Sequence, residues 1–179
     1  MKALTIWQPW ASLIARGVKQ YETRSWPTKY RGPIAIHAAM KNPLSVSLSG
    51  DCMGVLIDEM LETRRLPLWE QMPRGAVIAT AELVNVWHIV YHPGPNVDKA
   101  RHIDIGAESM TEDKHDPHFG DYFVPTDKEI ILGDWTPGRY AWELANVKPL
   151  PRPIPVKGKQ GLWTFEMKEE DAQKGGGQV

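Results

Sequence analysis

Hydrophobic positions along the chain recur with two spacings, every second residue in some stretches and every third or fourth in others, and the changes of spacing mark the elements. Ala3 to Ile6 reads as a short strand. Gln8-Pro9-Trp10 then opens a helix, with proline in the first turn, where its missing N–H costs nothing. Trp10, Leu13 and Ile14 make an apolar stripe at i, i+3 and i+4, and Gly17 supplies the stop. A strand is predicted from Val18 to Trp26, a turn at Pro27, and an apolar strand from Pro33 to Ala39 that carries His37 near its end. Asp51 to Arg65 has helical periodicity, placing Met53, Leu56, Ile57, Met60 and Leu61 on one face. Ala76 to Val90 is the longest strand-like stretch. Further strands are predicted over Arg139–Val147 and Gly161–Met167, joined by an extended proline-rich link.

Residues 92–129 break this pattern. They are polar, acidic and interrupted by Pro93, Pro95 and Pro117, and read as a long surface insertion or lid. Residues 168–179 are charged and then glycine-rich, the composition of a flexible tail. The remainder holds roughly five to six strands and two or more helices, at intervals too short for a helical crossover between every pair of strands. The expectation is one α+β domain over 1–167, built as a small mixed barrel.

Composition narrows the function classes. At 179 residues, 42% hydrophobic and 24% charged, the chain is long enough for one sizeable core. Its 21 Lys and Arg against 22 Asp and Glu exclude a uniformly basic protein held to nucleic acid by bulk charge. The distribution is uneven: residues 1–41 carry +6, 42–75 carry −2, 76–138 carry −7 and 139–179 carry +2. Two cationic ends flank an acidic middle, and together they could build a local anion-binding surface. The single cysteine, Cys52, excludes an internal disulfide and a multi-cysteine zinc site, reads as a buried inert thiol, and favours a reducing cytoplasm. No apolar run approaches the roughly 18 residues of a membrane span, and no export signal is expected.

Lys19, Glu22 and Arg24 are the centre of the candidate chemistry. A helix ending at Gly17 places Lys19 at a loop tip, with Glu22 and Arg24 on one strand face at i, i+2. A carboxylate beside two cations stays ionised and can accept from an exocyclic amine, while the cations meet phosphate or a base carbonyl. Trp7, Trp10 and Trp142 are stacking candidates, although Trp10 also fits the helix's apolar stripe; Gln8 offers both donor and acceptor to a base edge, and Trp163 reads as core. Lys157, Lys159 and Gln160 form a glycine-flanked basic loop whose backbone can approach a phosphate. His88 and His92 flank a strand and turn, a poor arrangement for shared metal ligation. His115, Asp116, His118 and Asp121 are of ligand type but lack a typical motif, so no metal and no cofactor is expected.

Five segments together resemble the ASCH (activating signal cointegrator homology) domain: Trp7-Gln8-Pro9-Trp10-Ala11, Gly17 to Arg24, Arg31 to Ala38, Gly138 to Trp142 and Lys157 to Trp163. The resemblance implies a PUA-like pseudo-barrel, a fold used mainly to bind RNA and modified bases, and places His37 near the cleft. It also implies two activities found in some members, hydrolysis of acetylated cytidine and of RNA, and for the cointegrator branch an association with transcription and nucleic acid. In the amidohydrolase branch a lysine neighbours an attacking threonine; here Lys19 matches the lysine, but Glu22 stands where the threonine would be. An alcohol nucleophile needs a base within hydrogen-bond reach, and none is evident.

Three readings follow. The first is a binding module whose small cationic, Trp-lined cleft holds single-stranded RNA, another single-stranded nucleic acid or a nucleotide, without membrane association. The second is a small hydrolase of the same cleft, with Lys19 polarising the substrate and Glu22 as general base. The third is a protein-interaction domain that uses the acidic insertion.

Overall fold

The computed structural model describes residues 1–93, 103–109 and 122–167. Its elements in chain order are β1 (Lys2–Ile6), α1 (Trp10–Ala15), β2 (Tyr21–Arg24), β3 (Gly32–Ala38), α2 (Gly50–Ile57), β4 (Ala76–Pro93), β5 (Ile103–Ser109), β6 (Tyr122–Phe123), α3 (Asp127–Leu132), β7 (Tyr140–Pro155) and β8 (Leu162–Thr164). Backbone proximity sorts the chain into two compact units, the first from Met1–Lys19, Gly32–Glu82 and Ala145–Val179, the second from Gln20–Arg31 and Leu83–Leu144.

In the first unit the strands pair in the order β4, β3, β1, β8. β1 and β3 are parallel, with Thr5 opposite His37 and Ile6 opposite Ala38, while β8 runs antiparallel to β1 with Leu162 opposite Leu4. Ala3, Ala35, Val77, Trp163 and Phe165 form its core, and Leu150, Ile154 and Val156 pack against them. α1 is short because it is punctuated at both ends. Gln8 Oε1 accepts from the Ser12 N–H at its start. Gly17 adopts φ +68 at its end, a conformation that a side chain disfavours. In α2, Ser49 Oγ accepts from the Cys52 N–H as a cap.

In the second unit β7 lies between β2 and β4, β5 pairs with β4, and β6 pairs with β5. Trp87, Ile89, Trp135 and Ala141 form its core, joined by Tyr21, Phe123 and Ile130. Thr126 caps α3 by accepting from the Glu129 N–H at 3.3 Å. Thr126 and Glu129 have the spacing of a capping box, yet the Glu129 carboxylate accepts from the Gln20 N–H at 2.6 Å instead.

The chain is therefore α+β with a mixed sheet. The pairing path starts at β2 and ends at β8, and among the described residues no ladder joins those two strands, so the sheet is open, as in a pseudo-barrel. Three elements depart from the expectation. β7 runs on to Pro155, through the proline-rich stretch read as a link between strands. The segment 92–129, read as irregular, contains β5 and β6 and opens α3. The predicted apolar face of 51–65 is also misplaced. Cys52, Leu56, Glu59 and Met60 are buried, while Met53, Ile57 and Leu61 are exposed. Asp58–Glu62 continues α2 as a wider π-type turn, which shifts the phase of the helix. The inward carboxylate of Glu59 is met by Arg65 Nη2 at 2.6 Å and by the Thr63 hydroxyl at 2.8 Å. Among the described residues no helix is long and apolar enough to cross a membrane.

Candidate functional site

Parallel pairing brings the carboxyl ends of β1 and β3 side by side, and three chain segments of the first unit meet there. The chain leaves β1 at Trp7, half exposed at 50%, and leaves β3 at Met40 and Lys41. The Lys41 ammonium sits 3.5 Å from the centroid of the Trp7 ring. This cation–π pair joins residues 34 apart in sequence through the strand register alone. The third segment is the loop after β7. The Val156 N–H donates to Gly75 O at 3.0 Å, and the Gly75 N–H donates to Ala38 O at 2.8 Å. Beyond Val156, Lys157, Lys159 and Gln160 are exposed.

His37 pins this loop from below. It is 1% exposed, and its Nε2 lies 2.9 Å from Val156 O. A carbonyl only accepts, so Nε2 is the donor in this contact, and Nδ1 is buried and without a hydrogen-bond partner among the described residues. Gly158 rests against the same ring: a methyl there would stand 2.7 Å from His37 Nδ1 and 2.9 Å from Thr5 Oγ1. Thr5 Oγ1 in turn accepts from Trp163 Nε1 at 3.2 Å. His37, Thr5 and Trp163 thus form a rigid floor, and only a glycine lets the basic loop close onto it.

Several sequence candidates of this unit occupy structural positions. Gln8 is fully buried and both ends of its amide are engaged, Nε2 donating to Pro73 O at 2.8 Å and Oε1 accepting from Ser12 N–H at 3.0 Å. Trp10 is half-buried on α1. Lys19 was expected at a loop tip and is instead 1% exposed. The N–H groups of Val18 and Lys19 both donate to Leu13 O, folding the chain back onto α1 and drawing the side chain inward. The buried Cys52 thiol registers that charge: burial pushes its pKa up, and the Lys19 ammonium partly opposes the shift.

In the second unit Glu22 and Arg24 share one face of β2, with Arg24 Nη2 3.0 Å from Glu22 Oε1. Glu22 lies opposite Trp142 in the ladder with β7. Trp142 is fully buried, crossing Trp26 edge-on at 4.6 Å and donating to Trp26 O at 3.3 Å, so its ring belongs to the interior. Among the described residues no group of three or more His, Cys, Asp or Glu is arranged to hold a metal ion. His115, Asp116, His118, Asp121 and the tail 168–179 lie outside the described residues. Lys41 is the site residue that sequence reasoning missed, because its partner depends on which strands lie side by side.

The family model of the ASCH domain matches residues 4–153. The chain belongs to the ASCH domain family. Among the curated relatives of this ASCH chain are the human and mouse proteins named activating signal cointegrator 1, each 52% identical over 40 residues, 22% of this chain. The match spans only 7% of the length of either relative. Among solved structures, the ASCH protein from Zymomonas mobilis is 16% identical, with a TM-score of 0.42 over 97% of this chain and 91% of that one. A single-substitution mutant of the Zymomonas protein aligns over 97% and 94%, with a TM-score of 0.41.

Proposed function

We propose that this ASCH domain binds single-stranded RNA or a nucleotide at the strand end formed by Trp7, Lys41 and the Lys157–Gln160 loop. The observation that carries the reading is the half-exposed Trp7 ring with the Lys41 ammonium beside it, on the end of the fold that also bears two exposed loop lysines. A flat ring in contact with water offers a stacking surface to any base, and neighbouring ammonium groups balance the phosphate that comes with it. Gln160, exposed at the end of the loop, offers donor and acceptor to a base edge. On this reading His37, Gln8 and Trp10 hold the platform in place, and the Glu22–Arg24 pair of the second unit is a separate candidate contact. The single, buried cysteine suits work in a reducing compartment such as the cytoplasm. The hydrolase reading rests on Lys19 and Glu22, but Lys19 is buried and Glu22 is ion-paired to Arg24, so binding is the function we carry forward.

Fluorescence anisotropy with short labelled RNA and DNA oligomers tests the proposal. Trp7→Ala should weaken RNA binding about tenfold, the loss expected from one stacked base, and Lys157→Ala with Lys159→Ala should weaken it further. Absence of binding at low salt, or binding that survives all three substitutions unchanged, refutes it.

A further inference from the structure

An open surface hollow of about 470 Å³ lies at the carboxyl end of α1, within the first unit. Arg16, Arg64 and Arg65 line it together with Gly17, and Ala15, Val147 and Pro149 supply an apolar wall; no lining residue is acidic. In a chain of net charge −1, three arginines along one small hollow need a reason. Arg16 and Arg64 are exposed, and among the described residues neither side chain makes a hydrogen bond or ion pair. Arg65 is held differently. Its Nη2 lies 2.6 Å from Glu59 Oε1, and Thr63 donates to the other carboxylate oxygen at 2.8 Å. Buried Glu59 lies outside the lining and fixes the guanidinium from behind.

The backbone carries a second mark. Arg64 adopts φ +53, the left-handed region where a side chain is disfavoured and glycine is not. Such strained residues cluster where a ligand is gripped. A guanidinium matches two phosphate oxygens at once, and the hollow falls within the size range of small-ligand sites. Its lining contains no aromatic ring, so it cannot stack a base. We infer that this hollow is a phosphate-binding site, which recognises the phosphate group of a nucleotide or polynucleotide by charge and geometry and is indifferent to the base. It stands apart from Trp7, which precedes the other end of α1, and does not depend on how Trp7 functions.

Calorimetric titration of the full chain with inorganic pyrophosphate, uridine 5′-monophosphate and uridine tests this. Pyrophosphate and the monophosphate should bind, and uridine should not displace pyrophosphate. Arg16→Gln combined with Arg64→Gly should weaken phosphate binding about tenfold or more, the loss of at least one charge-assisted contact, whereas Trp7→Ala should leave pyrophosphate binding unchanged. Glycine suits φ +53, so the variant should keep its thermal unfolding midpoint and report on binding alone. Pyrophosphate that fails to bind the unsubstituted chain, or that binds the double variant equally well, overturns the inference. Displacement of a labelled RNA oligomer by pyrophosphate from Trp7→Ala protein identifies a polynucleotide phosphate as the source, and pyrophosphate binding without displacement identifies a free phosphate compound.

Discussion

Gln8 has the chemistry of a base reader, but its surroundings use that chemistry for the fold. Its amide joins the start of α1 to Pro73, and both partners are backbone groups, the Ser12 N–H buried and the Pro73 carbonyl part-buried. Gln8→Leu keeps the volume and removes both bonds, at an expected cost of about 1–3 kcal/mol for each orphaned group. Urea unfolding should show that loss, while the protein that remains folded binds RNA nearly as before; a variant of unaltered stability that no longer binds would place Gln8 on the ligand. Gly158 has the opposite character, since its value lies in what it lacks. Gly158→Ala drives a methyl into His37 and Thr5, an overpacking that costs about 1–3 kcal/mol and lifts the loop bearing Lys157 and Lys159. Reduced RNA affinity together with a lowered unfolding midpoint is the expected result, and His37→Ala in the same chain should restore part of both by opening space beneath the loop.

At the scale of elements, short-range patterns were legible and pairings were not. β1, β3, β4 and the α1 stop at Gly17 follow from short apolar runs, an apolar stripe and one glycine, all of them local signals. β5 alternates Ile103, Ile105 and Ala107 with Asp104, Gly106 and Glu108, but the prolines and acids around it hid that repeat. The phase of α2 was illegible because the chain buries Glu59, a residue that becomes affordable inside only once Arg65 and Thr63 meet it. The site divides along the same line: Trp7, Lys157, Lys159 and Gln160 could be picked by type, whereas Lys41 enters only through the register of two parallel strands. β2 offers a test of pairing energetics. Tyr21 stacks on Phe123 at 4.9 Å and meets Trp135 edge-on at 5.9 Å. Burial first, then the negative charges of Glu143 and Glu129, push its pKa from 10.0 up to about 12. The folded state therefore keeps this proton where the unfolded chain has lost it, so the contribution to stability is complete below pH 10 and is lost as the pH rises toward about 12. Unfolding midpoints measured across that window should fall for the unsubstituted chain and fall less steeply for Tyr21→Phe.

For the molecule as a whole, the near-neutral total conceals a division of charge between the units. The first holds 13 Lys and Arg against 10 Asp and Glu, for +3, and the second holds 8 against 12, for −4. Both the Trp7 strand end and the arginine hollow belong to the positive unit. A second unit of net −4 repels a polyanion, so RNA contact should stay confined to a few local cations rather than spread along a basic face. Lys41, Lys157 and Lys159 then set the number of phosphates neutralised at the proposed stacking site, and for a single strand three such contacts give a slope of log affinity against log salt of about −2. Anisotropy titrations over a salt series should return that shallow slope for oligomers of different length and sequence, and Lys159→Ala should make it shallower by about 0.7. A slope of about −4 or steeper would require roughly six phosphate contacts, more than this strand end can supply, and would move the interface to a wider surface.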